Sequence, residues 1–272
     1  MIYDDKYLEL INYIKDLGKV AIAFSGGVDS TFLLKVAKEA IDNGVIAITI
    51  KSPYIPEKEI KDVKDIINEL NVTHYFLEFP IVEEIRYNPK DRCYRCKKNL
   101  FKEIINLAKI NGIEYVLDGS NFDDTKDYRP GMKALEELNI KSPLKELNIT
   151  KAEIRMFSRK LNLPTWNKPS YACLLSRLPY DTEIDLKELV KIEKSEEYLY
   201  SIGFKEARVR SYNNMARIEV NKKDISKFLN GDLVQDIVNN LKKYGYQYVA
   251  LDLEGYRMGS MNAVIKDGNG DE

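Results

Sequence analysis

Histidine is almost missing from this chain: His74 stands alone among 272 residues, so the sequence holds no pair of imidazoles for acid–base work and no histidine-rich metal site. His74 directly precedes the strand-like run Tyr75-Phe76-Leu77-Glu78-Phe79 and reads as a strand-edge residue rather than a catalyst. Cysteine is scarce too. Three residues, an odd count, with Asp4 and Asp5 where a secretion signal would place positive charge, argue against a disulfide framework. No apolar run approaches the roughly 18 residues that a membrane span needs. Net charge is nearly absent, with 42 Lys and Arg against 43 Asp and Glu, so no global field draws the chain to nucleic acid or to an anionic membrane. The expectation is a cytoplasmic protein that uses neither surface.

What is present begins with an apolar run, Val20-Ala21-Ile22-Ala23-Phe24, that feeds Ser25-Gly26-Gly27-Val28-Asp29-Ser30, after which a helical pattern starts. Strand, tight loop and helix N-terminus together suit an anion. Two glycines let the backbone turn and approach a ligand closely, while the N–H groups of the helix end point at it. Ser25 and Ser30 add hydroxyls, and Asp29 adds a carboxylate suited to magnesium, with Asp124 as a second choice. The G-x-x-x-x-G-K-[ST] spacing and its lysine are both lacking. The stretch instead resembles the pyrophosphate-binding loop of the PP-loop ATP pyrophosphatases, which split ATP between its α and β phosphates and adenylate a substrate oxygen. The competing reading is an ordinary Gly-Gly turn at a strand end.

Apolar strand runs at 20–24, 45–50, 75–79 and 113–117 alternate with helical patterns near 29–43, 57–70 and 97–111, and another helix is expected near 150–161. Nearly all-apolar strands separated by helices predict a parallel α/β sheet covered on both faces, with ligands bound beyond the carboxyl ends of its strands. The loop at 25–30 and the stretch after Leu117 then face one crevice. Residues 164–182, with Pro164, Pro169 and Pro179, read as an irregular connection. Beyond it come a charged helix at 185–202, a hairpin of 207–212 and 216–220 around Asn213-Asn214, helical segments in 222–242 and a strand at 247–253. The expected organisation is a nucleotide domain over 1–165, a linker over 166–184 that carries Cys173, and a small C-terminal α+β domain over 185–272, its last residues, 267–272, disordered.

Cys93 and Cys96 form a C-x-x-C at or just before a helix start, among Arg92, Arg95, Lys97 and Lys98. Positive neighbours and a helix N-terminus favour thiolates, the form that binds metal or attacks sulfur. Cys173 lies far off in sequence. Three thiolates without a fourth ligand suit a 4Fe–4S cluster with one open iron. Direct thiol or persulfide chemistry, a zinc site, a redox C-x-x-C and three unrelated buried cysteines are the other readings.

Ser25 to Ser30, Asp91 to Lys97, Asp118-Gly119-Ser120-Asn121-Phe122-Asp123-Asp124, Arg129-Pro130-Gly131, Lys141-Ser142-Pro143-Leu144 and Pro169 to Arg177 together resemble the LarE family of ATP-dependent sulfur transferases, across about residues 15–220. The resemblance implies a PP-loop fold, ATP and magnesium as cofactors, and a substrate that is a pyridinium mononucleotide with two ring carboxylates. Each carboxylate is adenylated and converted to a thiocarboxylate on the route to the nickel-pincer nucleotide. Some members give up the sulfur of one cysteine, whose position matches Cys173. Others hold a cluster on three cysteines, and the presence of Cys93, Cys96 and Cys173 assigns this chain to them. Asp118 to Asp124, after the fourth strand run, offers carboxylates and an amide at the crevice, with Asp118 and Gly119 as ATP contacts, or is a solvated acidic loop that caps a helix. The resemblance also implies a homo-oligomer, with sulfide or a sulfur donor as the expected source of sulfur. Arg208 and Arg210, two apart on one strand face, with Arg217 on the returning strand, form a clamp suited to phosphate. In the LarE-like reading they take the substrate phosphate, with Arg177 near the transferring sulfur and Glu196 as a polar partner. Thiolation of a tRNA base is the alternative function, against which the balanced charge counts. A non-catalytic sensor and an amide-forming PP-loop ligase are further readings, and the ligase leaves the cysteines without a role.

Overall fold

Parallel strands share one carboxyl edge, and here four of them build it. Val20–Ala23 (β1), Val45–Lys51 (β2), Thr73–Glu78 (β3) and Tyr115–Leu117 (β4) lie in the order β3-β2-β1-β4, every neighbour parallel. The helices Val28–Ile41 (α2), Glu57–Leu70 (α3) and Arg92–Ile110 (α4) make the crossovers. Six consecutive residues of β2, Val45 to Ile50, are buried, which requires cover on both faces of the sheet. The chain winds from β1 outward to β3 and then returns to β4 on the other side of β1. That reversal leaves a crevice beyond the carboxyl ends of β1 and β4.

The computed structural model describes residues 5–126, 130–169 and 172–257. Arg129, Ser170, Tyr171 and the 267–272 tail of the sequence reading lie outside the described residues. The chain divides into two compact units, one of residues 1–84 with 91–171, the other of 85–90 with 172–272.

The first unit has elements the strand and helix patterns did not assign. Asp5–Leu17 (α1) buries Tyr7, Leu10, Ile11 and Ile14, an i, i+3, i+4, i+7 stripe. Tyr7 meets Phe32 of α2 and Phe157 at 6.2 and 5.7 Å between ring centroids, and Phe32 stacks on Phe157 at 5.7 Å. Phe157 belongs to Lys151–Lys160 (α7), which a capping box of Thr150 and Glu153 starts. Before it come Pro130–Glu137 (α5) and the single turn Pro143–Glu146 (α6). Lys141 bridges to Leu117 in parallel and so extends the sheet beside β4.

The second unit holds Leu186–Ser201 (α8), Arg208–Tyr212 (β5), Met215–Glu219 (β6), Gly231–Lys243 (α9) and Tyr248–Leu251 (β7). β5 and β6 form the antiparallel hairpin, with Asn213 at φ 55° in its turn, and β7 joins β6 in parallel. Leu199, Phe204, Val209, Ala216, Ile218, Ile237 and Leu241 form its core. Asn88 ties 85–90 into this unit by donating to the carbonyls of Leu175, Leu178 and Pro179. None of the described helices is long and apolar enough to cross a membrane.

His74 sits on edge strand β3 with Nε2 2.8 Å from Thr49 Oγ1, and Thr49 Oγ1 donates to the Phe24 carbonyl at 2.8 Å. The hydroxyl hydrogen is thus committed to Phe24, so Nε2 carries the proton that completes the chain of bonds. Burial lowers the His74 pKa to about 4 from an ordinary 6.5. The unfolded chain therefore takes up this proton first, and stability is lost as pH falls from about 6.5 to about 4. Urea unfolding across that range should show a shallower acid-side loss for His74→Gln than for the wild type. Phe157→Ala should lower the stability of the first unit by about 3–5 kcal/mol, read from the same curves at neutral pH.

Candidate functional site

β1 ends at Ala23, and the chain enters the loop with Gly26 at φ +66°, a conformation that side chains rarely adopt. A Cβ on Gly26 would also lie 2.8 Å from Val63 Cγ2 of α3. Glycine is required twice over at this position. α2 starts from Gly27, and no side chain caps it. By contrast α7, α8 and α9 each have an N-cap side chain that accepts a backbone N–H. The first N–H groups of α2 are thus left for a ligand. Ser25 Oγ and Ser30 Oγ lie 3.0 Å apart across the loop, Gly27 N donates to Ser25 Oγ at 3.4 Å, and Ser30 Oγ reaches the Gly27 carbonyl at 3.3 Å.

The turn after β4 faces this loop. A Cβ on Gly119 would stand 3.0 Å from Ser30 N, so the two turns pass with no room for a side chain between them. Asp118 is buried, and its two oxygens accept from Ser120 Oγ and Ser142 Oγ, each at 2.5 Å. Between the turns opens a cavity of about 460 Å³, bordered by Ser25, Gly27, Asp29 and Ser30 on one side and Asp118, Gly119, Ser120 and Asp124 on the other. Ile48, Thr49 and Ile50 of β2 and Ile60 and Val63 of α3 give it an apolar flank. The size suits a nucleotide-sized ligand.

Asp29 Oδ2 accepts from Lys151 Nζ at 2.6 Å, while its Oδ1 is buried without a hydrogen-bond partner. Burial raises the Asp29 pKa, and the Lys151 ammonium pulls against that rise. A carboxylate oxygen left in that condition at the edge of the cavity is suited to a cation shared with phosphate. Asp124 Oδ2 instead accepts from Asn121 N at 3.1 Å.

The C-x-x-C spans the first and second turns of α4, which starts at Arg92 rather than near residue 97. No side chain caps this helix either. Cys93 is exposed and Cys96 half-buried, and Tyr54 Oη lies 3.1 Å from Cys96 Sγ. Three residues apart on a helix, the two thiols share a face. One turn after Cys93, Lys97 borders the nucleotide-sized cavity, and a Cβ on Gly131 would meet its Cδ at 2.7 Å. Cys93 and Cys96 belong to the first unit and Cys173 to the second. Among the described residues no group of three or more His, Cys, Asp or Glu side chains converges to hold a metal ion.

In the second unit, Cys173 begins a 3-10 turn, Leu174–Arg177, where an irregular connection was expected. Arg177 is buried and forks onto Glu196 through Nε and Nη2, both at 2.9 Å. Its Nη1 reaches the carbonyls of Ala172 and Cys173 at 2.8 and 3.3 Å and Ser176 Oγ at 2.7 Å. Arg210 forks onto buried Glu219 and donates to the Ser176 carbonyl. Arg217 stands opposite Arg210 in the hairpin register and shares Glu219 at 3.0 Å, with Asp252 at 3.5 Å. Arg208 is buried, donates to the Ala207 carbonyl and has its guanidinium carbon 5.2 Å from the centre of the Tyr256 ring. The structure thus gathers Cys173, Arg177, Glu196, Arg208, Arg210 and Arg217 in one unit, with the arginines anchored by carboxylates, carbonyls and an aromatic ring.

Sequence reasoning missed Lys151, Tyr54 and Glu219 as neighbours of these groups, and it named Lys97 beside the cysteines and Ser142 within a motif without placing either at the nucleotide-sized cavity. Glu219 follows Arg217 by two residues on β6, whereas Lys151, Tyr54 and Ser142 are brought in by chain segments far off in sequence.

Comparison with known proteins agrees with this architecture. The family model described as Queuosine biosynthesis protein QueC, a PP-loop ATP pyrophosphatase, matches residues 19–91. An uncharacterized protein of Synechocystis sp. is 39% identical over 96% of this chain and 98% of its own length. An uncharacterized protein of Methanocaldococcus jannaschii is 34% identical over 94% of this chain and 99% of its own. The pyridinium-3,5-bisthiocarboxylic acid mononucleotide synthase of Lactiplantibacillus plantarum is 36% identical over 96% of this chain and 95% of its own length. With a named synthase matched along nearly its whole length and a loop built to receive phosphate, the chain belongs to the LarE family of PP-loop, ATP-dependent sulfurtransferases.

Proposed function

We propose that this enzyme adenylates the ring carboxylates of a pyridinium-3,5-biscarboxylate mononucleotide and converts them to thiocarboxylates for nickel-pincer cofactor synthesis. The observation that carries the reading is the cavity in which the uncapped N-terminus of α2 meets the Asp118-Gly119 turn. It combines with the likeness to the pyridinium-3,5-bisthiocarboxylic acid mononucleotide synthase of Lactiplantibacillus plantarum, whose name states its product. ATP lies with its β and γ phosphates in the Ser25-Gly26-Gly27 and Ser30 loop and its adenine toward Thr49 and Ile50. Asp118 and Gly119 form the opposite wall. A substrate carboxylate oxygen attacks the α phosphorus, the bond to the bridging oxygen breaks, and pyrophosphate leaves. Sulfide then adds to the acyl carbon, the acyl–oxygen bond breaks, and AMP leaves with its electron pair. Adenylation supplies the leaving group, so no histidine is needed for it.

Asp29, with one buried, unpartnered carboxylate oxygen, would hold magnesium, which when bound offsets phosphate charge. Cys93, Cys96 and Cys173 would hold a 4Fe–4S cluster, which when bound would supply an exchangeable sulfide at its open iron. Arg208, Arg210 and Arg217 bind the substrate phosphate, Arg217 being the more exposed member of the hairpin pair. Arg177 and Glu196 hold the Cys173 turn beside the transferring sulfur. The enzyme acts in the cytoplasm as a homo-oligomer that takes sulfur from sulfide or a sulfur donor.

Substrate-dependent release of pyrophosphate from ATP tests the reaction class, and its absence with the mononucleotide present would refute the reading. Asp29→Asn should cut that release by about 100-fold or more, and Gly119→Ala should weaken ATP binding by about tenfold through its clash at Ser30 N. Protein purified without oxygen should contain about four iron and four acid-labile sulfide per chain, lost in Cys93→Ala, Cys96→Ala and Cys173→Ala alike. No iron after reconstitution under reducing conditions would remove the cluster from the mechanism.

A further inference from the structure

Lys168 stands in the Pro164–Pro169 stretch, where nothing in sequence marks it. Its Nζ donates to the carbonyl of Gly26 at 3.2 Å and to Asp62 Oδ2 of α3 at 2.7 Å. Its side chain is 14% exposed, so the ammonium is held against the loop rather than waving in water. The stretch itself is pinned from behind: Arg155 of α7 donates through Nη1 to the Trp166 carbonyl at 2.8 Å and through Nη2 to the Lys168 carbonyl at 3.0 Å. An ammonium on the carbonyl side of the Gly26–Gly27 peptide has two effects on the opposite side. It fixes the plane of a peptide whose glycines impose little restraint of their own. It also polarises the amide, which makes the Gly27 N–H, here directed at Ser25 Oγ at a long 3.4 Å, a better donor to an incoming anion.

We infer that Lys168 is a positioning residue for the anion loop: its contact with the Gly26 carbonyl presets the Gly26–Gly27 peptide to donate to the pyrophosphate portion of ATP. The inference rests on the proposed use of this loop for ATP. Lys168 acts through the backbone, and the division of labour is between loop and adenine pocket. Loss of the ammonium therefore weakens ligands that use the loop and spares those that do not. Asp62 serves only to anchor the ammonium. An amide in its place still accepts from Nζ, so the contact with Gly26 survives.

The test is calorimetric titration of the full chain with inorganic pyrophosphate and, separately, with adenosine. Lys168→Met should weaken pyrophosphate binding by about tenfold or more and change adenosine binding by less than about threefold, while Lys168→Arg restores most of the loss. Asp62→Asn should leave pyrophosphate affinity within about threefold of wild type. Lys168→Gln keeps a donor without the charge and should show a smaller loss of the same kind, so the test survives a misfolded methionine variant. Equal pyrophosphate binding by wild type and both neutral variants would overturn the inference while leaving the ATP reading intact. So would parallel losses for pyrophosphate and adenosine, or a loss in Asp62→Asn as large as in Lys168→Met. A wild-type chain that binds neither pyrophosphate nor ATP would overturn both.

Discussion

A helix end can receive an anion only if its own first N–H groups stay unused, and that constraint organises the first unit. Thr150, Asp185 and Asn230 satisfy those donors with a capping side chain at α7, α8 and α9, whereas α2, α3, α4 and α6 have none. α2 has glycine at that position and no cap. The missing side chain has a stability cost that the packing beneath must cover. Phe32, Leu33, Leu34, Val36 and Ala37 of α2 are buried against β1, β2, α1 and α7, so tertiary packing holds the helix that capping does not. The left-handed Gly26 and the narrow passage at Gly119 are further consequences, since each lets backbone stand where a side chain would block the ligand.

The same logic appears at α4. Its first two turns carry Cys93, Cys96 and Lys97, and it too lacks a side-chain cap. Its first N–H groups are likewise left open to a ligand. In the second unit charge is handled in the opposite way. Arg177, Arg210 and Arg217 are each tied to a carboxylate, and the forks on Glu196 and Glu219 keep buried guanidiniums neutralised and oriented. Two of these arginines also reach carbonyls of the turn that Cys173 begins. The turn, whose Leu174 and Leu175 are buried, is thereby held by ionic hydrogen bonds as well as by apolar packing.

Periodicity made the parallel sheet legible because nearly all-apolar strands flanked by helices have few other solutions. β1, β2 and β3 fall within a residue or two of their expected spans, and β4 begins two residues later. α1 was overlooked although Tyr7, Leu10, Ile11 and Ile14 repeat at helical spacing. The short α5 and α6 had no comparable stripe. The segment 85–90 reads locally as part of the first unit, yet its Asn88 side chain satisfies three carbonyls of the second, a pairing that no local pattern announces.

By itself, the sequence determined the anion loop, because two adjacent glycines between an apolar strand and a helix leave a backbone path whose N–H groups point at one place. It also determined the C-x-x-C at a helix start and the arginine register of the hairpin, since both follow from fixed local spacing. Only the tertiary structure decided which charges meet. Lys151 on Asp29 and Lys168 on Gly26 depend on where distant segments pass. A long charged side chain has no local preference strong enough to choose its partner, so packing chooses it.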